Sequence, residues 1–450
     1  MAATTPAVGG RATGMEVIWV NIERRTSTAT GGTKALPRTK GGLDPGGHRG
    51  GGHSAAMHRP DHGTPQAWLG RDPWPGAPRW PNPPYEHPER DIRTVAGTST
   101  VKPIELAPNL VDHFYLGGDR IARLRGIETT SDRQPEEWLA ATVCRAGHVT
   151  VGLARTTGGL LLRDLVSADH ASWVGPAHAA ANGTTDVGIL FKLLDARQRL
   201  PVHVHPDRAF AASHLDCPYG KTEAWFVLES EPGRAVHLGW NTDVERRELD
   251  RRRDAQDSDW MLDHMNRVEV APGMGILVPA GTVHAIDEGI FVAEVQEPTD
   301  FSILLEWSIT TSTREESHLD IGFDAVMTAV STARLGPQTL DHLIMRSGLT
   351  GRLGHTASVL PAAADPFFTL RHAAPGPGAS NGVGEGFAVV VVLAGSGTIT
   401  GSGAGLPISR GQVFAVPHAF GAWRVEGDAS VLVGGPGVGW PASLAEEPAS

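Results

Sequence analysis

Residues 200–207 read Leu-Pro-Val-His-Val-His-Pro-Asp. In an extended backbone successive side chains alternate between faces, so Val202 and Val204 point one way and His203 and His205 the other. Two imidazoles presented together are half of a metal site, but 20 histidines in 450 residues yield roughly one His-x-His by chance, so the pair needs company. Glu223 supplies some of it. It opens the apolar run Glu223-Ala224-Trp225-Phe226-Val227, where a carboxylate is costly to bury unless a cation or donor meets it. His284 supplies the rest, closing Pro279-Ala280-Gly281-Thr282-Val283-His284, a tight turn after an apolar strand. Nitrogen and oxygen ligands without sulfur suit zinc, manganese, iron or nickel.

Outward from this stretch, short apolar or alternating runs at 187–194, 200–205, 222–228, 275–278, 291–295 and 301–307 are separated by Gly, Pro and Asp and predict strands. Many short strands in one region imply a sandwich or barrel. The charged stretch 243–266, with Arg251-Arg252-Arg253, has helical character and reads as an insertion spanning about 241–267. Residues 135–141 (PEEWLAA) predict a short helix with Pro at its start, and 323–347 a second helical segment. Strands return at 387–399, 412–416 and 430–433, as in a duplicated barrel. This second block has no His-x-His and no Pro-x-Gly-x-x-His; His418 stands alone after Pro417, and no metal is expected there. The domains expected are therefore 101–320, metal-binding; 321–350, a helical linker; and 351–450, a degenerate second barrel.

Residues 1–100 are rich in Gly, Pro, Thr, Arg and His, and a chain so poor in apolar surface is expected to be disordered. His48, His53, His58, His62 and His87 are irregularly spaced, as in a solvated segment. A net charge of −11, from 39 Lys+Arg against 50 Asp+Glu, gives no electrostatic reason to expect nucleic acid as a partner. Cys144 and Cys217 cannot make a disulfide framework and form no Cys-x-x-Cys, which fits a reducing compartment. No apolar run reaches the roughly 18 residues needed to cross a bilayer, and the N-terminus lacks a signal-peptide pattern. A cytoplasmic protein with no membrane partner is expected.

Together, His-x-His, the strand-borne Glu223 and Pro-x-Gly-x-x-His284 resemble the cupin metal motif. More narrowly, residues 105–435 resemble the class I mannose-6-phosphate isomerases. The motifs are Lys192-Leu-Leu-Asp-Ala leading into 200–207, Gly220-Lys221-Thr222-Glu223-Ala224-Trp225, residues 278–284, and 294–300 (EVQEPTD). The resemblance implies a mainly β double cupin with helical insertions and one zinc ion on His203, His205, Glu223 and His284. It also implies interconversion of mannose 6-phosphate and fructose 6-phosphate through an enediolate, with Lys221, Glu294 and Asp300 as catalytic candidates. The chain departs from the family pattern at three points. His203 replaces the usual glutamine ligand, Pro201 replaces a serine associated with phosphate binding, and residues 301–307 lack the family's arginine. Arg208, Lys221 and Lys192 are then the candidate cations for a substrate phosphate. An isomerase or epimerase of another sugar and a non-catalytic sugar-binding cupin are the alternative readings.

Overall fold

Apolar residues alternating with small or polar ones give this chain strands that each need two neighbours and a covered face. The computed structural model describes residues 102–181, 186–346, 356–437 and 440. The extension 1–100 and its histidines lie outside the described residues. Around the motif region a seven-stranded sheet runs in the order Ile344–Met345, Gly275–Val278, Glu223–Ser230, Ile290–Gln296, Leu190–Ala196, Glu136–Leu139, Leu110–Val111. A five-stranded sheet runs Ile303–Leu304, His203–Val204, His284–Ile286, Ala235–Trp240, Met265–Glu269. Every pairing is antiparallel.

The same architecture recurs towards the C-terminus. A six-stranded sheet is ordered Ile104–Glu105, Val413–Val416, Ala388–Ala394, Ser430–Pro436, Phe368–Ala373, Ala357–Ser358. A four-stranded sheet is ordered Gly376–Val383, Trp423–Gly427, Ser396–Thr400, Leu406–Ser409. Val390, Val392, Phe414, Val416, Trp423 and Val425 fill the space between these two sheets. A larger core joins the seven- and six-stranded sheets: Phe191, Phe226, Leu360, Phe368, Val389 and Leu432 belong to one apolar cluster. Their approach is close enough that a Cβ on Gly434 would lie 2.7 Å from the Phe191 ring. The expected mainly β double cupin with helical insertions is thus the fold observed.

The insertion forms helices Arg246–Asp254 and Ser258–Asp263, capped by Glu245 and Asp257 side chains on the Glu248 and Trp260 amides. Three local expectations need correction. Residues 135–141 are not a helix: Glu136–Leu139 is a strand wedged between Leu110–Val111 and Leu190–Ala196. Burial of Trp138 and a ladder on both sides outweigh the helical propensity of Glu, Leu and Ala. The helical segment predicted over 323–347 consists of Phe323–Val326, the 3-10 turn Met327–Ala329 and Pro337–His342, and ends in the strand Ile344–Met345 rather than in helix. Gly336-Pro337 starts a new helix rather than continuing one. The runs at 200–205 and 301–307 are regular strands only at His203–Val204 and Ile303–Leu304; beyond them the Val202 carbonyl still accepts the Leu305 and Glu306 amides, while Pro201 has no amide to donate. Among the described residues no helix is long and apolar enough to cross a membrane.

Candidate metal centre and pocket

Strand register brings the histidines together. His203 pairs directly with His284 across the five-stranded sheet, and the ring centroids are 4.0 Å apart. His205 leaves the same strand one residue later, and its carbonyl accepts the Gly281 amide at 2.7 Å, which pins the turn that delivers His284. The candidate ligand nitrogens of His203, His205 and His284 all lie within 4.8 Å of one another. Glu223, facing them from the seven-stranded sheet, places Oε2 3.0 Å from His205 Nε2 and Oε1 3.3 Å from His284 Nε2. All four side chains are buried.

Each ring is held by its other nitrogen. His203 Nδ1 lies 2.8 Å from the Pro201 carbonyl, His205 Nδ1 2.7 Å from that of Phe301, and His284 Nδ1 2.8 Å from that of Thr282. Carbonyls only accept, so each Nδ1 carries the proton and each Nε2 lone pair is turned inward. His284 Nε2 is buried without a hydrogen bond of good geometry. Burial, together with the neighbouring imidazoles and Lys221, holds His203 far below the usual imidazole range; burial and Lys221 push His205 down to about 3. Neutral imidazoles with aligned lone pairs suit a cation.

Lys221 Nζ lies 2.9 Å from Glu223 Oε2 and 2.8 Å from His205 Nε2, donating to both. Burial pushes the Glu223 carboxyl up, but the Lys221 ammonium beside it outweighs burial and holds it well below the usual carboxylate range. Next to this group, on the paired strands, stand Glu294 and Lys192, directly opposite each other. Lys192 Nζ is 3.3 Å from Glu136 Oε2, 3.5 Å from Glu294 Oε1 and 3.8 Å from Asp300 Oδ1, and 4.8 Å above the Trp138 ring. Burial alone would lower the lysine, but these carboxylates raise it. Burial and the nearby Glu223 charge push Glu294 up to about 7, against the pull of Lys192 and Lys221.

Glu223, Lys221, Glu294, Asp300 and His203 line one pocket, together with Lys192, Glu136, His113, Tyr115, Pro201 and Trp225. Its lining carries four carboxylates, Glu136, Glu223, Glu294 and Asp300, against two ammonium groups, a formal excess of two negative charges. A divalent cation matches that excess, so the donor set and the charge both fit a metal.

Sequence reasoning missed the pocket residues Glu136 and His113. Glu136 accepts from Tyr115 Oη at 2.6 Å and Trp138 Nε1 at 2.8 Å, a position hidden by the helical reading of its segment. His113 is stacked edge-on to Tyr115, and neither ring nitrogen has a hydrogen-bond partner. No periodicity marks a loop residue of this kind. Of the cations proposed for phosphate, Lys192 is enclosed by three carboxylates, Lys221 is paired with Glu223, and Arg208 Nε is 2.6 Å from Glu297 Oε1 with its guanidinium over Phe367.

Paired antiparallel sheets with three imidazoles and a carboxylate between them define a double-cupin protein with a candidate metal centre. The sequence resemblance to class I mannose-6-phosphate isomerases also holds. The chain is 32% identical over 184 residues to the mannose-6-phosphate isomerase of Streptococcus mutans, covering 41% of this chain and 54% of that protein. It is 38% identical over 112 residues to the mannose-6-phosphate isomerase ManA of Bacillus subtilis, covering 25% of this chain and 34% of that one. The matched stretches therefore span about half or less of these curated relatives. No family model matches the sequence. In fold, the mannose 6-phosphate isomerase of Bacillus subtilis superposes with a TM-score of 0.56 at 19% identity, covering 74% of this chain and 99% of that chain. A mannose 6-phosphate isomerase bound with zinc and yttrium superposes with a TM-score of 0.56 at 14% identity, covering 75% and 100%.

Proposed function

We propose that the protein is a zinc-dependent aldose–ketose isomerase that interconverts mannose 6-phosphate and fructose 6-phosphate. The observation that carries this reading is the cluster of His203, His205 and His284 with Glu223 against it, next to a pocket that His203, Lys221, Glu223, Glu294 and Asp300 line. The relatives named mannose-6-phosphate isomerase and the zinc-bound structural neighbour support the substrate and the metal.

His203, His205, His284 and Glu223 would hold the ion, which when bound supplies a Lewis acid to stabilise negative charge developing on the sugar oxygens at C1 and C2. Lys221, which contacts His205 Nε2 and Glu223 Oε2, would be released from the His205 lone pair once that nitrogen is a ligand and would have ammonium donors for a substrate oxygen. Glu294 is the group assigned to move the proton between C1 and C2. A carboxyl raised towards neutrality exchanges a proton at low cost in either direction. Lys192 positions it, together with Asp300 and Glu136. Asp300 also accepts the Ala146 amide at 3.2 Å, tying the loop that contains it to the pocket.

The domain division 101–320, 321–350 and 351–450 belongs to the same proposal, with chemistry confined to the first barrel. Purified protein loaded with zinc is expected to convert mannose 6-phosphate to fructose 6-phosphate in a coupled assay, to lose that activity on chelation and to regain it with zinc. Turnover unaffected by complete metal removal, or none with any divalent metal, contradicts the reading.

A further inference from the structure

A sugar phosphate brings a dianion, and the pocket interior has no cation to spare for it. Lys192 faces three carboxylates, Lys221 faces Glu223, and Arg208 faces Glu297. The lining's excess of two negative charges is matched by a divalent metal and leaves no positive surplus. The pocket is also small: its free volume is about 30 Å³, room for roughly one or two waters. A hexose entering by its C1–C2 end must therefore leave its phosphate at the rim.

Two arginines are bound to the backbone that carries the lining residues His113 and Phe114. Arg145 Nη1 donates to the Asp112 carbonyl at 2.6 Å, and Arg133 Nη1 donates to the Phe114 carbonyl at 3.2 Å. The carbonyls they grip flank His113, and both His113 and Phe114 line the pocket. The Arg133 carbonyl in turn accepts the His113 amide at 2.8 Å. The Arg145 loop is fixed on its other side by the bond from the Ala146 amide to Asp300, itself a lining residue. Among the described residues neither arginine has a carboxylate within ion-pair distance, in contrast to Arg120, Arg125, Arg199 and Arg208. Each keeps guanidinium donors beyond the single carbonyl contact. The charge of Arg145 is also felt at His113, which burial and that charge hold down at about 4 against the pull of Glu136.

We propose that Arg145, with Arg133 beside it, forms an anion subsite at the pocket rim that takes the phosphate of a sugar monophosphate. A planar guanidinium offers two parallel donors to phosphate oxygens, and two such groups neutralise a dianion. The subsite would stand in for the serine hydroxyl replaced by Pro201 and for the arginine absent from 301–307. This inference rests on the isomerase reading for its substrate, but its anion chemistry can be tested separately.

The test uses the zinc-loaded full chain and the variants Arg145→Gln, Arg145→Lys and Arg133→Gln, each checked for an unchanged melting temperature. Mannose 6-phosphate, mannose and inorganic phosphate are titrated calorimetrically, and steady-state kinetics are run alongside. Arg145→Gln is expected to weaken mannose 6-phosphate binding about tenfold or more, as loss of a charge-assisted contact does. KM should rise to match with kcat little changed. Mannose binding should be unaffected, Arg145→Lys should recover part of the loss, and inorganic phosphate should weaken in parallel. Wild-type affinity for mannose 6-phosphate in both glutamine variants, an equal loss for mannose, or a wild-type protein that binds the phosphate ester no better than mannose each overturns the subsite. Arg145-dependent binding without turnover would sink the isomerase reading and leave the subsite standing. Turnover with an Arg145-independent KM would do the reverse.

Discussion

At the residue scale, the site depends on which nitrogen of each histidine holds the proton. Three backbone carbonyls fix Nδ1–H in His203, His205 and His284, and that alone turns three Nε2 lone pairs inward. Orienting contacts of this kind change metal affinity by about 10- to 100-fold, so removal of a ligand itself should cost at least that. His284→Ala is expected to lower zinc occupancy by about 100-fold or more in equilibrium dialysis; retained affinity would remove His284 from the ligand set. Glu294 gives a second expectation. Its carboxyl is raised to about 7, a bound divalent cation pulls it down, and a general base works only when deprotonated. The rate should therefore rise with pH along a limb centred at or below about 7, and Glu294→Gln should remove both the limb and most of the activity. A wild-type limb that survives in the variant assigns the proton to another group. The four candidate ligands were legible in sequence because each sits in a motif whose strand period or turn dictates its direction. His113 and Glu136 were not, since their place depends on a loop and on a strand that composition disguises as a helix.

At the scale of elements, the insertion is latched to the strand that carries the first two histidines. Glu306, fully buried, takes Arg199 Nη2 at 2.6 Å and the Val202 amide at 2.9 Å, and also accepts from Ser258, which opens the second insertion helix. Gln256, between the two helices, donates to the Leu305 carbonyl at 3.1 Å and accepts from the Trp307 amide at 2.6 Å. Burial pushes the Glu306 carboxyl up, but Arg199, Ser258 and the Val202 amide outweigh it and hold it below its usual value. A depressed carboxyl contributes stability above its unfolded-state pKa, near 4.3, and that contribution is lost as pH falls through the lower folded value. Glu306→Gln is expected to destabilise the protein by about 3 kcal/mol at pH 7, the range for breaking a buried pair, with the difference shrinking below about pH 4. Denaturant titrations at pH 7 and well below pH 4 measure it; a loss that is equal at both would assign the effect to packing. The insertion was visible in the sequence as a charged break between strands. The broken helix at 323–345 was less so, because Gly336-Pro337 was the one signal against a continuous segment.

For the whole molecule, the two barrels share strands and core. Ile104–Glu105, at the start of the described chain, pairs with Val413–Val416 near its end, and Arg125 links Glu137 of the first barrel to the Gly411 carbonyl of the second. Trp440 lies buried over Gly188, where a Cβ would be 2.4 Å from its ring and φ is +74°, so the close approach needs glycine there. Trp440→Ala should cost about 3–5 kcal/mol, read as a drop in unfolding midpoint. A change within error would show that the C-terminal segment does not support the core. The duplicated β pattern was readable from recurrent apolar runs; the exchange of an N-terminal strand into the second barrel was not, because long-range pairing leaves no local trace. Proton transfer between C1 and C2 of a sugar phosphate in this pocket is tested most directly by NMR of mannose 6-phosphate incubated with the zinc-loaded protein in deuterium oxide. Fructose 6-phosphate is expected, with deuterium entering the C1 or C2 position at a rate that falls to background in His203→Ala and after chelation. Unlabelled, unchanged mannose 6-phosphate over many hours, or product formed equally by the ligand variant, would contradict it.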